Sequence, residues 1–151
     1  MSSRLDIGTR LSRGDFRLDI ERAFELDGIT ALFGASGSGK TTLLRLLAGL
    51  EPGAHGRIAF AGETWQDDTA GVFVQPHRRG AGLVFQDARL FPHLGVRGNL
   101  TYAERRAPRG EDGIAFDDVI GALDLGPLLN RGIGNLSGGE RQRVAIGRTL
   151  L

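Results

Sequence analysis

Apolar and polar positions alternate at the start of the chain. Leu5 and Ile7, and then Phe16, Leu18 and Ile20, stand one polar residue apart. A period of two marks strands with one buried and one wet face, as in an antiparallel sheet. Arg13-Gly14-Asp15 supplies a turn between two such strands. Residues 29–33 break the rhythm by being apolar almost throughout, which predicts a strand buried on both faces of a parallel sheet. A glycine-rich loop follows. Residues 41–50 then read as a helix with Leu43, Leu44, Leu46 and Leu47 on a broad buried face, stopped by Glu51-Pro52-Gly53. Residues 57–61 predict a short strand with a turn at Gly62-Glu63, and residues 66–80 are polar and loop-like. Residues 81–85 predict a second strand of the buried type, ending at Gln86. Beyond it the pattern turns helical over 96–106, 116–123 and 140–151, with no repeat and no linker. The plan is a mixed β front, a strand–loop–helix unit and a helical back half.

Composition narrows the function. The chain has 151 residues, room for one domain, and its net charge of +1 leaves no basic face for nucleic acid. Arg78-Arg79 and Arg105-Arg106 are short enough to be read as solvated loop charges. With no cysteine, disulfides, thiolate metal sites and cysteine nucleophiles are excluded. His55, His77 and His93 are scattered, without the spacing of metal ligands. No apolar run reaches the roughly 18 residues that span a bilayer, and Met1 to Asp6 lacks the apolar core of a secretory signal. The expectation is a soluble chain that reaches a membrane only through a partner. The 24 glycines are the outlier, and they fall in short phrases between apolar segments rather than in repeats.

The first such phrase is Gly34-Ala35-Ser36-Gly37-Ser38-Gly39-Lys40-Thr41, followed by Thr42. It fits G-x-x-x-x-G-K-[ST] at every fixed position. Glycines let the backbone curl so that several N–H groups converge on phosphate oxygens, and the helix start adds the positive end of its dipole. Lys40 supplies a mobile cation for the β- and γ-phosphates of ATP, and Thr41 a hydroxyl placed for Mg²⁺. A mere flexible Gly/Ser turn is disfavoured by context, because a buried-type strand precedes the loop and an apolar helix follows it.

The second phrase is Leu136-Ser137-Gly138-Gly139-Glu140-Arg141-Gln142-Arg143. Locally it is a capping box, with Ser137 at the N-cap and Glu140 three residues on. Two glycines in a first helical turn are costly, unless something must approach the backbone closely. A bare helix N-terminus attracts anions, so this is a second candidate phosphate site on a chain that already has one.

Residues 136–143 resemble the signature motif of the ABC family of ATPases, at the separation from Lys40 found in transporter subunits. The resemblance implies an α/β fold, that of a P-loop NTPase (ABC-type nucleotide-binding domain) with an antiparallel β front and a helical subdomain. In this chain it divides as 1–86 for the β front and P-loop core, 87–136 for the helical subdomain and 137–151 for the signature helix. It implies a head-to-tail dimer with a second ABC ATPase subunit, in which Ser137, Gly138, Gly139 and Glu140 face the ATP on the other copy's loop. It makes Gln86 the glutamine that reaches Mg²⁺ or the attacking water, so that Lys40 and Gln86 are the catalytic candidates. The segment after Gln86 would touch a transmembrane permease, with a periplasmic binding protein as an indirect partner.

Val84 to Leu94 and Val96 to Leu100 are similar to the ATP-binding subunits of bacterial molybdate importers, as are Ile29 to Gly34 and Arg141 to Arg148. The likeness runs from about Phe16 onward. Gly95 departs from it where relatives carry a side chain, a change that weakens the start of the next helix. The resemblance also implies an aromatic residue stacked on adenine, for which Phe16 is the nearest candidate, although its place in an alternating strand favours the reading as a core phenylalanine. The implied location is peripheral, on the cytoplasmic face of the bacterial inner membrane. Importers of another oxyanion or of iron(III) share much of the same phrase.

In that family an apolar strand ending in the Walker B aspartate and a catalytic glutamate follow the signature helix. Neither occurs before Leu151, and Asp117, Asp118 and Asp124 do not substitute for them. The expectation is a fragment that lacks the C-terminal core strands, with negligible hydrolysis of its own and open strand edges that favour self-association. The alternative is a non-hydrolysing nucleotide-binding module. A DNA-repair ATPase head is disfavoured by the short spacing between the two motifs.

Overall fold

The computed structural model describes residues 3–107 and 113–151. Met1, Ser2 and residues 108–112 of the expected helical subdomain lie outside the described residues. The chain separates into two compact units, Met1–Ala81 and Gly82–Leu151.

In the first unit, β1 (Ser3–Arg13) and β2 (Phe16–Leu26) form a long antiparallel hairpin, paired from Ser3 with Leu26 to Arg13 with Phe16. Gly14, at φ 54°, opens the turn predicted there. β3 (His55–Phe60), β4 (Glu63–Asp67) and β5 (Val72–Phe73) complete an antiparallel sheet in the order β2-β1-β3-β4-β5. Ala61 and Gly62, both at positive φ, make the two-residue turn between β3 and β4 that matches strand twist. Two strand segments fall where the sequence reads as loop: β5, and the end of β4. His55 opens β3.

Helix α1 (Lys40–Leu47) lies on this sheet. Leu43 and Leu46 join Leu5, Ile7, Leu11, Ile58 and Trp65 in one core. Leu44 does not join them and is 47% exposed, because an eight-residue helix against one sheet buries a single stripe. The helix also stops earlier than the proline suggests. Gly49, at φ 75°, donates to the Leu46 carbonyl and Leu50 to that of Arg45, a complete glycine C-cap. Just beyond, the buried carboxylate of Glu51 accepts from Arg45 Nε at 2.7 Å and from Arg13.

Neither expected parallel strand forms. Residues 29–33 and 81–85 carry no strand pairing, and Ile29 and Phe33 are 100% and 89% exposed. A strand exists only against a neighbouring backbone, and among the described residues no other segment offers one to these two. Their apolar composition is real, but composition is not a hydrogen-bond partner.

The second unit packs α2 (Val96–Glu104), α3 (Phe116–Ala122) and α4 (Gly138–Leu150) around Val96, Leu100, Leu125, Leu128, Leu136 and Val144. Gly147 allows the tight fit, since a Cβ there would lie 3.0 Å from a Leu125 methyl and 3.1 Å from one of Leu100. Gly95 gives α2 no side-chain cap, as expected. Its first donors are satisfied from a distance, however: Val96 N–H bonds the Arg131 carbonyl at 3.1 Å and Arg97 N–H that of Leu129 at 3.2 Å.

Candidate functional site

The loop over residues 34–39 is shaped by its glycines. Gly37 and Gly39 sit at φ 80° and 92°, where a side chain is strained, and a Cβ on Gly34 would lie 2.8 Å from Ser38 Oγ. Gly39 is the N-cap of α1 and offers no side-chain acceptor. The N–H groups of residues 39–42 therefore have no intrahelical partner and are left for a ligand. The Lys40 ammonium folds back over the loop and donates to the carbonyls of Gly34 at 2.8 Å and Ala35 at 2.7 Å. It forms no ion pair with a carboxylate among the described residues, so its charge is available to an anion.

A cavity of about 330 Å³ opens here, lined by Ser36, Gly37, Gly39, Lys40, Thr41, Thr42 and Phe16. Phe16 is half-buried and stands outside the sheet core. Its ring edge comes within 3.1 Å of where a Gly39 Cβ would be. The reading of Phe16 as a core residue is thereby corrected, because the β-hairpin register carries it to the end of the sheet beside the loop.

Gln86 lies in the second unit. It is exposed and sits on an irregular turn rather than at a strand end. The turn is held by Ala88 N–H on the Phe85 carbonyl at 3.0 Å, and Gln142 reaches that same carbonyl. Past it, the chain from Phe91 to Gly95 is organised by a residue that the sequence reading missed. Asn99 is fully buried; its Oδ1 accepts from Phe91 N–H at 2.8 Å, and its amide donates to the carbonyls of Phe91, Leu94 and Gly95. Arg148 of α4 lies over the Phe91 ring at 4.8 Å, and burial pulls its pKa down from the usual guanidinium value. A lone Asn in a helical pattern carries no signal of such a role, since only the fold brings four loop groups to it.

The signature phrase forms the expected capping box. Glu140 N–H donates to Ser137 Oγ at 3.2 Å, and Ser137 N–H to the Glu140 carboxylate at 2.6 Å. Those bonds hold the Glu140 carboxyl below its ordinary value, with smaller help from the charges of Arg131 and Arg143. Gly138 and Gly139 are exposed, and a Cβ on either would meet nothing within 4 Å. Among the described residues, nothing requires glycine at these two positions.

Arg79 also departs from expectation. Read as a solvated loop charge, it is only 4% exposed, because the carbonyls of Leu46, Leu47 and Val74 converge on its guanidinium. Among the described residues no group of His, Cys, Asp and Glu could hold a metal ion, and no helix is long and apolar enough to cross a membrane.

The ABC transporter family model matches residues 18–151, both glycine-rich loops included. The chain belongs to the ABC transporter family. Within that family it is similar to the molybdenum import ATP-binding protein ModC 1 of Azotobacter vinelandii, 52% identical over 94% of this chain and 39% of that protein. The molybdenum import ATP-binding protein ModC of Aromatoleum aromaticum is 56% identical over 89% of this chain and 36% of its own length. That of Mesorhizobium japonicum is 54% identical over 100% and 40%. The chain thus spans about two-fifths of the length of these relatives. The family's P-loop NTPase fold agrees with the antiparallel front and helical unit seen here.

Proposed function

We propose that this protein is the ATP-binding, energy-coupling subunit of an ABC importer for molybdate. The observation that carries the reading is the loop 34–42. Four N–H groups without an intrahelical partner, a lysine that pairs with no carboxylate among the described residues and an aromatic ring surround one cavity, and triphosphate with an attached purine is the ligand that uses all three. The exposed Thr41, in the first helical turn, suits Mg²⁺ bound to those phosphates, and Phe16 suits the base.

The assignment of Gln86 to the metal or the attacking water rests on the resemblance. So does that of Ser137, Gly138, Gly139 and Glu140 to a nucleotide on a second subunit in a head-to-tail dimer. The same holds for the segment after Gln86 as the permease contact, for the periplasmic binding protein as indirect partner, and for a place on the cytoplasmic face of the membrane. Molybdate is the cargo because the relatives named above are molybdenum import ATP-binding proteins.

Two measurements test the proposal. Titration of the intact protein with ATP should show Mg²⁺-dependent binding that Lys40→Ala weakens about 100-fold; binding that ignores this substitution sinks the ATP assignment. Expression in a bacterium lacking its own molybdenum-import ATPase should restore molybdate uptake. Uptake of sulfate or iron(III) instead would replace the cargo while keeping the transporter.

A further inference from the structure

We propose that Arg79 is a positioning residue for nucleotide, acting through the far end of α1. The inference rests on the reading of residues 34–42 as the phosphate site. Arg79 Nη1 donates to the carbonyls of Leu46 at 3.0 Å and Leu47 at 2.9 Å, the last turn of the helix whose first turn begins at Lys40. Nε donates to the Val74 carbonyl at 2.9 Å, on the segment that leaves β5. The guanidinium also lies 5.6 Å from the centre of the Trp65 ring and 5.2 Å from that of Phe73.

No carboxylate pairs with this cation among the described residues, and desolvation draws its pKa downward. Its charge is balanced by carbonyl dipoles at a helix C-terminus and by two ring faces, which are weaker partners than an acid. A solvated surface arginine could satisfy all of its donors without this burial. What the burial achieves is to fasten the C-terminal end of α1 to the sheet while the N-terminal end, about 12 Å away, stays bare.

Gly49 makes the same point independently. A Cβ there would lie 2.8 Å from Arg79 Nε and 2.9 Å from Cζ, so the helix stop leaves the space that the guanidinium fills. The tilt of α1, and with it the aim of the N–H groups of residues 39–42, is set by a residue that touches no ligand. A helix so fixed pays less ordering entropy when phosphate arrives.

The test uses the intact protein, well below its melting temperature, with ATP, ADP and adenosine as probes. Arg79→Met should weaken ATP and ADP about tenfold and adenosine less than twofold, because only the phosphates contact the end of α1 that moves. Bound-ATP phosphorus resonances should shift as well. Arg79→Lys, which can reach some of the carbonyls of Leu46, Leu47, Val74 and Trp65 but not span all four, should recover part of the ATP affinity. Gly49→Ala should reproduce the phosphate-selective loss by displacing the guanidinium, and it keeps the test alive if Arg79→Met does not fold. Folded Arg79→Lys and Gly49→Ala proteins with ATP affinity within twofold of the parent overturn the inference, as does an equal loss for adenosine and ATP. If Lys40→Ala also leaves ATP binding unchanged, the phosphate-site reading falls and takes this inference with it. If Lys40→Ala weakens ATP binding as expected and the Arg79 and Gly49 variants do not alter it, this inference alone is wrong.

Discussion

Helices α1 and α4 both begin in glycine-rich phrases, and they begin in opposite ways. At α1 the N-cap is a left-handed glycine with no acceptor, and the nearest cation rests on the loop's own carbonyls. At α4 the N-cap serine and the glutamate three residues on close a capping box that satisfies two donors within the chain. One start is left open for a ligand; the other is already held in shape and adds two glycines whose Cβ positions face empty space. The difference teaches that glycine serves two physical purposes here. In the first loop it permits backbone angles that other residues resist, and in the second it removes bulk from a surface of ordinary helical geometry.

Substitutions can break or sharpen that contrast. The largest effect is expected beneath α4. Leu100→Ala, at a fully buried position against Gly147, should cost about 2–5 kcal/mol, seen as lost amide-exchange protection in α2 and α4. At the open start, Lys40→Ala should leave the melting temperature near that of the parent while lowering ATP affinity about 100-fold, the scale of a lost charge-assisted contact to phosphate. Gly39→Ala should do some of both. The strained φ costs about 1–3 kcal/mol, the new methyl meets Phe16 and Leu18 at 3.1 Å, and both melting and ATP titration should register it.

At the closed start, Ser137→Ala should cost about 1 kcal/mol of helix stability, read by thermal melting, without altering ATP binding to the chain's own loop. The smallest effect concerns pH. The folded Glu140 carboxyl titrates below its ordinary value, so its contribution is complete above the ordinary carboxylate range and is lost as pH falls through the depressed value. Below about pH 4 the α4 amides should lose protection in the parent. In Glu140→Gln, which keeps a capping acceptor without a titrating group, they should not; an identical acid limb in both proteins would assign the change to another carboxylate.

The glycine-rich loop over residues 34–42 was legible because its pattern is written in consecutive residues. Gly34 to Thr42 form a local structure whose backbone angles depend on little beyond their own sequence, and the box at Ser137 and Glu140 spans a single turn. Alternation likewise gave away β1 and β2, because one wet face prints a period of two. Residues 29–33 and 81–85 show the opposite case. Their apolar runs state a preference for burial between neighbouring strands, and a run cannot carry its own ladder partner. The alternating pattern favoured a core place for Phe16, and only the hairpin register carried it to the end of the sheet beside the loop.

By itself, the sequence determined the glycine-rich loop ahead of α1, the capping box, the amphipathic strands and the family. Only the tertiary structure decided that Arg79 is buried, that α1 stops at Gly49, and that Asn99 gathers the loop from Phe91 to Gly95. These depend on carbonyls brought together from segments far apart in the chain. A carbonyl is the same group in every residue, so a sequence holds no mark of which ones will converge on a buried guanidinium or amide.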